Sequence, residues 1–219
     1  MDPNKKALEK RDNEEEDLTP PQLAHPFDEY AHSTYEELLE ERIILLNGDI
    51  RENIIEKAVM PLMQMAQDKG PIQMYINSYG GSIQDSQAVV DVMTTIDNPI
   101  ITMSFGKAMS AAFDIYLAGD YRIAYPNSLF MTHCGSTSLG LQTLSAINVE
   151  AKLHQELYGR WAKFYAARTK VSEKEWLAIL NGSLNQYYFP EEALKLGIVH
   201  HVVSAGKKPD MKAILKLRW

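Results

Sequence analysis

The chain has 219 residues and 45% hydrophobic content, enough for one domain with a full core, and its formal net charge of −7 speaks against a nucleic-acid-binding role. Its single cysteine, Cys134, excludes an internal disulfide and suits a reducing compartment. No apolar run reaches the length of a membrane span and no signal-peptide core opens the sequence, so a soluble cytoplasmic protein is expected.

Residues 1–20 carry 11 charged side chains, from Asp2 to Asp17, and bury too little apolar surface to offset the entropy of ordering. The sequence therefore predicts a charged, flexible segment over 1–34, a folded domain over 35–204 and a basic tail over 205–219. Tyr35 to Glu40 reads as a short acidic helical turn, and Arg42 to Leu46 as a buried strand closed by the turn signal Asn47-Gly48. From Glu52 to Asp68, apolar residues recur at helical spacing with Pro61 as an interruption. Ile72 to Asn77 alternates as a strand, and Ile83 to Ile96 is a second amphipathic helix. Met60, Met63, Met65 and Met93 along these segments are expected to fill the core. Strands alternating with helices predict an α/β domain with a largely parallel sheet.

The apolar run Ile100 to Met103 reads as a further buried strand, and Phe113 to Ala118 as the first turns of a buried helix. Between them lies Phe105-Gly106-Lys107-Ala108-Met109-Ser110-Ala111-Ala112. A serine at such a junction holds its hydroxyl near a helix N-terminus, where unpaired N–H groups favour developing negative charge. Arg122 to Tyr125 and Leu129 to Thr132 are two more strands, the second delivering His133 beside a Gly/Ser/Thr-rich loop from Gly135 to Gly140. Ile147, Ala151, His154, Tyr158, Trp161 and Tyr165 then share one stripe of a long helix, and Pro190 to Val203 reads as a last helix and strand. Beyond Gly206 the tail mixes lysines with Met211, Ile214 and Trp219.

Four motifs stand in order: Asn77-Ser78-Tyr79-Gly80-Gly81, then Gly106-Lys107-Ala108-Met109-Ser110, then Leu117-Ala118-Gly119, then Pro126-Asn127-Ser128 with His133 five residues after that serine. Together they resemble the proteolytic subunits of Clp proteases, serine peptidase family S14, from about Arg42 to about Ser204. The resemblance implies a crotonase-like superhelix of repeated βαβ units with a long handle helix. It also implies homo-oligomeric or mixed heptameric rings, stacked as tetradecamers, that degrade peptides and unfolded proteins delivered by an AAA+ Clp ATPase. No cofactor or metal is implied, since ATP is used by the partner, and no nucleic-acid or membrane partner is expected.

Peptide hydrolysis by serine needs a base, a group that orients the base, and donors for the oxyanion. Of the six histidines, His25 and His32 lie in the polar N-terminal region, His154 is mid-helix, and His200 and His201 follow the last helix. His133 alone ends a strand beside a Gly/Ser-rich loop, and the motif match assigns it as base to Ser110. By resemblance the oxyanion donors are the N–H groups of Gly80 and Ala111. The closing segment from Pro190 to Val199 then places Asn185 where the family usually carries the third, aspartate member, and Leu184 where it carries a subunit-linking arginine. Asp114 and Asp120 are disfavoured as substitutes by their closeness to Ser110 in sequence. An Asn carbonyl still orients an imidazole but brings no negative charge, and in chymotrypsin-type enzymes the Asp-to-Asn change lowers turnover by about 10⁴. Reduced activity is therefore expected.

Other readings are weaker. Lys107 as a Ser-Lys base would tend to point away from Ser110, no Gly-x-Ser-x-Gly elbow surrounds Ser110, and no phosphate-binding loop is present. A crotonase-type acyl-thioester enzyme needs no Ser-His pair. A non-catalytic ring subunit remains the alternative.

Overall fold

The computed structural model describes residues 26–135, 143–204, 206 and 210–214. Expectations for the charged residues 1–25, for most of the Gly/Ser/Thr-rich loop and for most of the basic tail lie outside the described residues. The chain divides into a unit ending at Glu36 and a second beginning at Glu37, which holds the sheet.

In chain order the elements are α1 (Pro26–Glu40), β1 (Ile43–Asn47), a π-helical turn (Ile55–Val59), α2 (Met60–Met65), β2 (Ile72–Ser78), α3 (Ile83–Thr95), β3 (Ile100–Met109) and α4 (Ala111–Ala118). They continue with β4 (Tyr121–Ala124), β5 (Leu129–Thr132), α5 (Leu144–Arg168), α6 (Glu173–Leu180), β6 (Gln186–Tyr188), α7 (Pro190–Leu196), β7 (His201–Val202) and α8 (Met211–Ile214). The α/β class expected from the sequence is observed. The main arm of the sheet runs β1-β2-β3-β4-β7, all parallel, and its inward residues Ile44, Met74, Ile76 and Ile100 are fully buried.

The expected helix over 52–68 forms without a break at Pro61: it changes from π to α winding between Val59 and Met60, both right-handed helical, and Pro61 sits in the first turn of α2. Two of its methionines do not fill the core. Met60 and Met63 are 58% and 59% exposed, whereas Met65 and Met93 are buried, because Met60 and Met63 fall on the helix face opposite Ala58, Leu62 and Met65.

β3 differs from expectation in a way that builds the site. It continues past Met103 to Met109, because Gly106 adopts φ +87°, a conformation glycine takes without strain, and bends the strand where its register with β2 shifts. A Cβ there would lie 2.7 Å from Asn77 Oδ1. After the bend Lys107–Met109 keeps β2 on one side, with Ser78 opposite Ala108, and pairs in parallel with β5 on the other, Met109 opposite Met131. β5 in turn pairs antiparallel with β6.

Behind this second arm α4 is buried along its whole length. Phe113 packs against Tyr165 of α5 at 5.6 Å between ring centroids, Trp176 of α6 at 6.1 Å and Tyr188 of β6 at 6.4 Å. The aromatic stripe of α5 therefore splits. Tyr158, Trp161 and Tyr165 pack on their own domain, while Ile147 and Ala151 in the first half are exposed. Among the described residues no helix is long and apolar enough to cross a membrane.

Arg122, 3% exposed, ties β4 to the ends of three helices. Its guanidinium donates to the carbonyls of Gly119 (2.9 Å), Arg168 (2.6 Å), Gly197 (2.9 Å) and Ile198 (2.8 Å). Replacement by leucine leaves these carbonyls unpaired, and Arg122→Leu is expected to lower the unfolding free energy by about 3 kcal/mol. Urea denaturation checks this; a loss under about 1 kcal/mol would mean that water replaces the guanidinium there.

Candidate active site

The junction between β3 and α4 is one residue, Ser110, with φ +52° and ψ −128°. A non-glycine residue there is strained, and strain at a strand-to-helix turn is characteristic of a side chain held out for chemistry. The backbone is pinned on both sides: Ser110 N–H donates to Met131 O at 2.8 Å, and Ser110 O accepts from Phe113 N–H at 2.8 Å. As N-cap of α4, Ser110 gives no side-chain capping bond, which leaves its hydroxyl available.

The β3–β5 pairing carries His133 to the same place. Two residues beyond Met131, its Nε2 lies 2.8 Å from Ser110 Oγ. Ser110 and His133 thus hang from the ends of two adjacent parallel strands.

Gly80, φ +101°, closes the third side. A Cβ on it would lie 2.7 Å from Ser110 Cβ and 3.0 Å from Ala111 N, so only glycine lets this loop approach Ser110. Its N–H donates to Ser78 Oγ at 3.0 Å. Ala111 N–H belongs to the first turn of α4, where helical N–H groups have no partner within the helix. Both N–H groups flank Ser110, one shared with a hydroxyl.

Asn185 is placed differently. The β5–β6 ladder pairs Thr132 with Gln186, so continuing its register sets Asn185 across from His133. Its side chain is exposed, however, and its amide donates to Tyr187 OH at 3.2 Å. Among the described residues no hydrogen bond joins Asn185 to His133. Leu184 beside it is 71% exposed.

The structure brings to the site one carboxyl that its closeness to Ser110 in sequence disfavours. Asp114 lies one helical turn after Ser110 and lines the same small cavity as Ser110 and His133. Tyr165 OH donates to it. Burial pushes Asp114 up to about 7 from 3.8, only partly opposed by that bond. Its signal in the sequence was a charge inside the otherwise apolar run from Ala111 to Ala118. Asp120, by contrast, accepts from Ile100 N–H at 2.8 Å, and Lys107 Nζ donates to Asn77 Oδ1 at 3.2 Å and lies 4.2 Å from the Tyr79 ring centroid. Of the other histidines, His200 meets Arg122, and the His154 ring lies tilted at 6.1 Å from that of Tyr158. Among the described residues no three His, Cys, Asp or Glu side chains converge as for a metal.

Asp114 holds its proton more tightly folded than unfolded, so its contribution to stability is complete below about pH 4 and is lost as pH rises through about 7. Asp114→Asn removes that loss. The variant is expected to gain on the parent protein between pH 5 and pH 8, by about 3 kcal/mol, read as the difference in Tm at the two pH values. An unchanged difference would place the Asp114 titration outside this range.

Three comparisons bear on what such a site does. The sequence profile of the Clp protease family matches residues 27–206. The ATP-dependent Clp protease proteolytic subunit of Deinococcus radiodurans is 32% identical over 187 residues, covering 82% of this chain and 89% of its own. Proteolytic subunit 1 from Leifsonia xyli subsp. xyli is 33% identical over 174 residues, with coverages of 78% and 87%. Among solved structures, an asparagine-to-aspartate mutant of ClpP1 from Listeria monocytogenes superposes with a TM-score of 0.69 at 23% identity, over 79% of this chain and 97% of that one.

Proposed function

The chain belongs to the Clp protease family, and on that premise we propose that it is a serine endopeptidase subunit in which Ser110 attacks the scissile carbonyl and His133 is its base. The observation that carries this reading is the 2.8 Å contact between Ser110 Oγ and His133 Nε2 at a strained strand-to-helix turn. Attack passes the hydroxyl proton to Nε2, and the oxyanion accepts from Ala111 N–H and from Gly80 N–H once the latter turns from Ser78. Collapse expels the amine, which takes the proton from His133, and water repeats the sequence on the acyl-enzyme. No cofactor takes part.

The assembly is part of the proposal. Leu144, Val149 and Leu153 on the first half of α5 are 81%, 66% and 48% exposed, and this apolar side supports packing against another copy or a paralogue, as in the family's double rings of seven. An apolar cleft of about 390 Å³ lined by Leu38, Ile43, Leu45, Tyr75, Phe105 and Tyr125 supports docking of a partner such as an AAA+ ATPase that delivers unfolded chains. The single cysteine is compatible with a reducing compartment such as the cytoplasm.

A second reading, a weakly active or structural member of a mixed ring, is favoured by one observation: the Asn185 amide is engaged by Tyr187 and not by His133. Labelling with a fluorophosphonate, followed by intact mass with Ser110→Ala alongside, separates the two. Modification of the parent chain alone supports the peptidase; an unmodified parent within an assembled ring supports the structural subunit.

A further inference from the structure

Two cavities meet at one thin partition beside the nucleophile. The first, bounded by Ile83, Ser110, Ala111, Thr132 and His133, has room for about 10 Å³. That is about one water molecule. The second, of about 170 Å³, lies between α3 and α5 and is lined by Gln87, Val90, Leu157 and Phe164. Asp114, Trp161 and Tyr165 line both.

We propose that this partition limits the residue on the acyl side of the cleaved bond to glycine, alanine or serine, an inference that rests on the peptidase reading and specifies what that site accepts. A carbonyl carbon at Ser110 Oγ, with its oxygen toward Ala111 N–H, turns the acyl residue's side chain into the space bounded by Ser110 and Ala111. There it meets the partition at once. Trp161 and Tyr165 are 8% and 2% exposed and belong to the close-packed core, so neither yields without a cavity opening elsewhere. The floor is also polar: Tyr165 OH donates to the buried Asp114 carboxyl. An apolar side chain forced in would press on this carboxyl without offering it a hydrogen bond, whereas a serine hydroxyl meets an acceptor. Lysine and arginine would suit the carboxyl, but the space excludes their stems.

The test uses the full chain and tripeptide diphenyl phosphonates identical except for alanine, serine, leucine, phenylalanine or lysine at the acyl position. In each, Ser110 Oγ displaces phenoxide from phosphorus, and intact mass follows the rate. An alkyl fluorophosphonate, which bears no such side chain, reports Ser110 reactivity by itself. Alanine and serine probes are expected to label at least about 10-fold faster than leucine and about 100-fold faster than phenylalanine or lysine. Asp114→Ala, and independently Trp161→Leu, join the two cavities and should shift the leucine-to-alanine ratio toward leucine by about 10-fold. Either variant suffices if the other does not fold. Equal or faster labelling by the leucine or phenylalanine probe on a chain that the fluorophosphonate modifies overturns the inference and leaves the peptidase standing. An unshifted ratio in a folded variant removes the partition as its cause. No fluorophosphonate labelling removes the peptidase reading, and the inference with it.

Discussion

Hydrolysis of a fluorogenic peptide by Ser110→Ala is expected to fall by about 10² to 10⁴, less than the roughly 10⁶ lost from a complete triad because Asn185 already leaves the parent slow, to whatever binding and the oxyanion donors alone sustain. His133→Ala should cost nearly as much. The two groups act as one unit, joined by a 2.8 Å contact, and losing either removes the proton transfer that makes the hydroxyl a nucleophile. The double variant should therefore be little worse than either single one. Neither substitution touches the β3–β5 pairing or the aromatic cluster around Phe113, so Tm should move by only a few degrees. A His133→Ala protein that keeps most of its activity would mean that another group takes the proton, and Asp114 is the one within the same cavity.

Asn185→Asp is the second large effect, and in the opposite direction. The register of β5 and β6 sets this position across from His133, so a rotated aspartate side chain is placed to accept from the imidazole Nδ1–H. Once there, it fixes the tautomer that leaves Nε2 free to take the serine proton, and it stabilises the imidazolium. Since the reverse change costs chymotrypsin-type enzymes about 10⁴, a gain in kcat/KM of roughly 10² to 10⁴ is expected. Unchanged kcat/KM would show that position 185 does not reach His133, and would strengthen the structural-subunit reading.

How far the site was legible follows from how local each signal is. Ser110, His133 and Gly80 stand in motifs with local meaning: a strand running into a helix, a strand ending at a loop, a glycine pair after a strand. Where β3 ends was not legible, because what holds Lys107–Met109 extended is a partner some twenty residues ahead, and the bend that permits it hinges on Gly106. β6 has three residues, too few for a period to show, and α6 left only the capping pair Ser172 and Glu175 as its mark. Asp114 was discounted for lying close to Ser110 in sequence, yet one helical turn is the separation at which a side chain folds back beside the residue before it. Asn185 was located by the resemblance, but its amide's turn toward Tyr187 depends on contacts that no spacing records.

The pairing of β3, β5 and β6 also divides the site by local stability. β3 lies inside the sheet, with β2 and β4 on its first half and β2 and β5 on its second, and opens only with the core. β6 pairs with one neighbour, over three residues, two of them exposed. Fraying of so short an edge breaks few bonds, so amides of Gln186 and Tyr187 should exchange with solvent far sooner than those of Ala108 and Met109. The nucleophile and its base thus share one cooperative unit, and position 185 rides on another that opens independently. Anything that clamps β6 from outside fixes where position 185 stands across from His133 and leaves the Ser110–His133 contact itself unchanged.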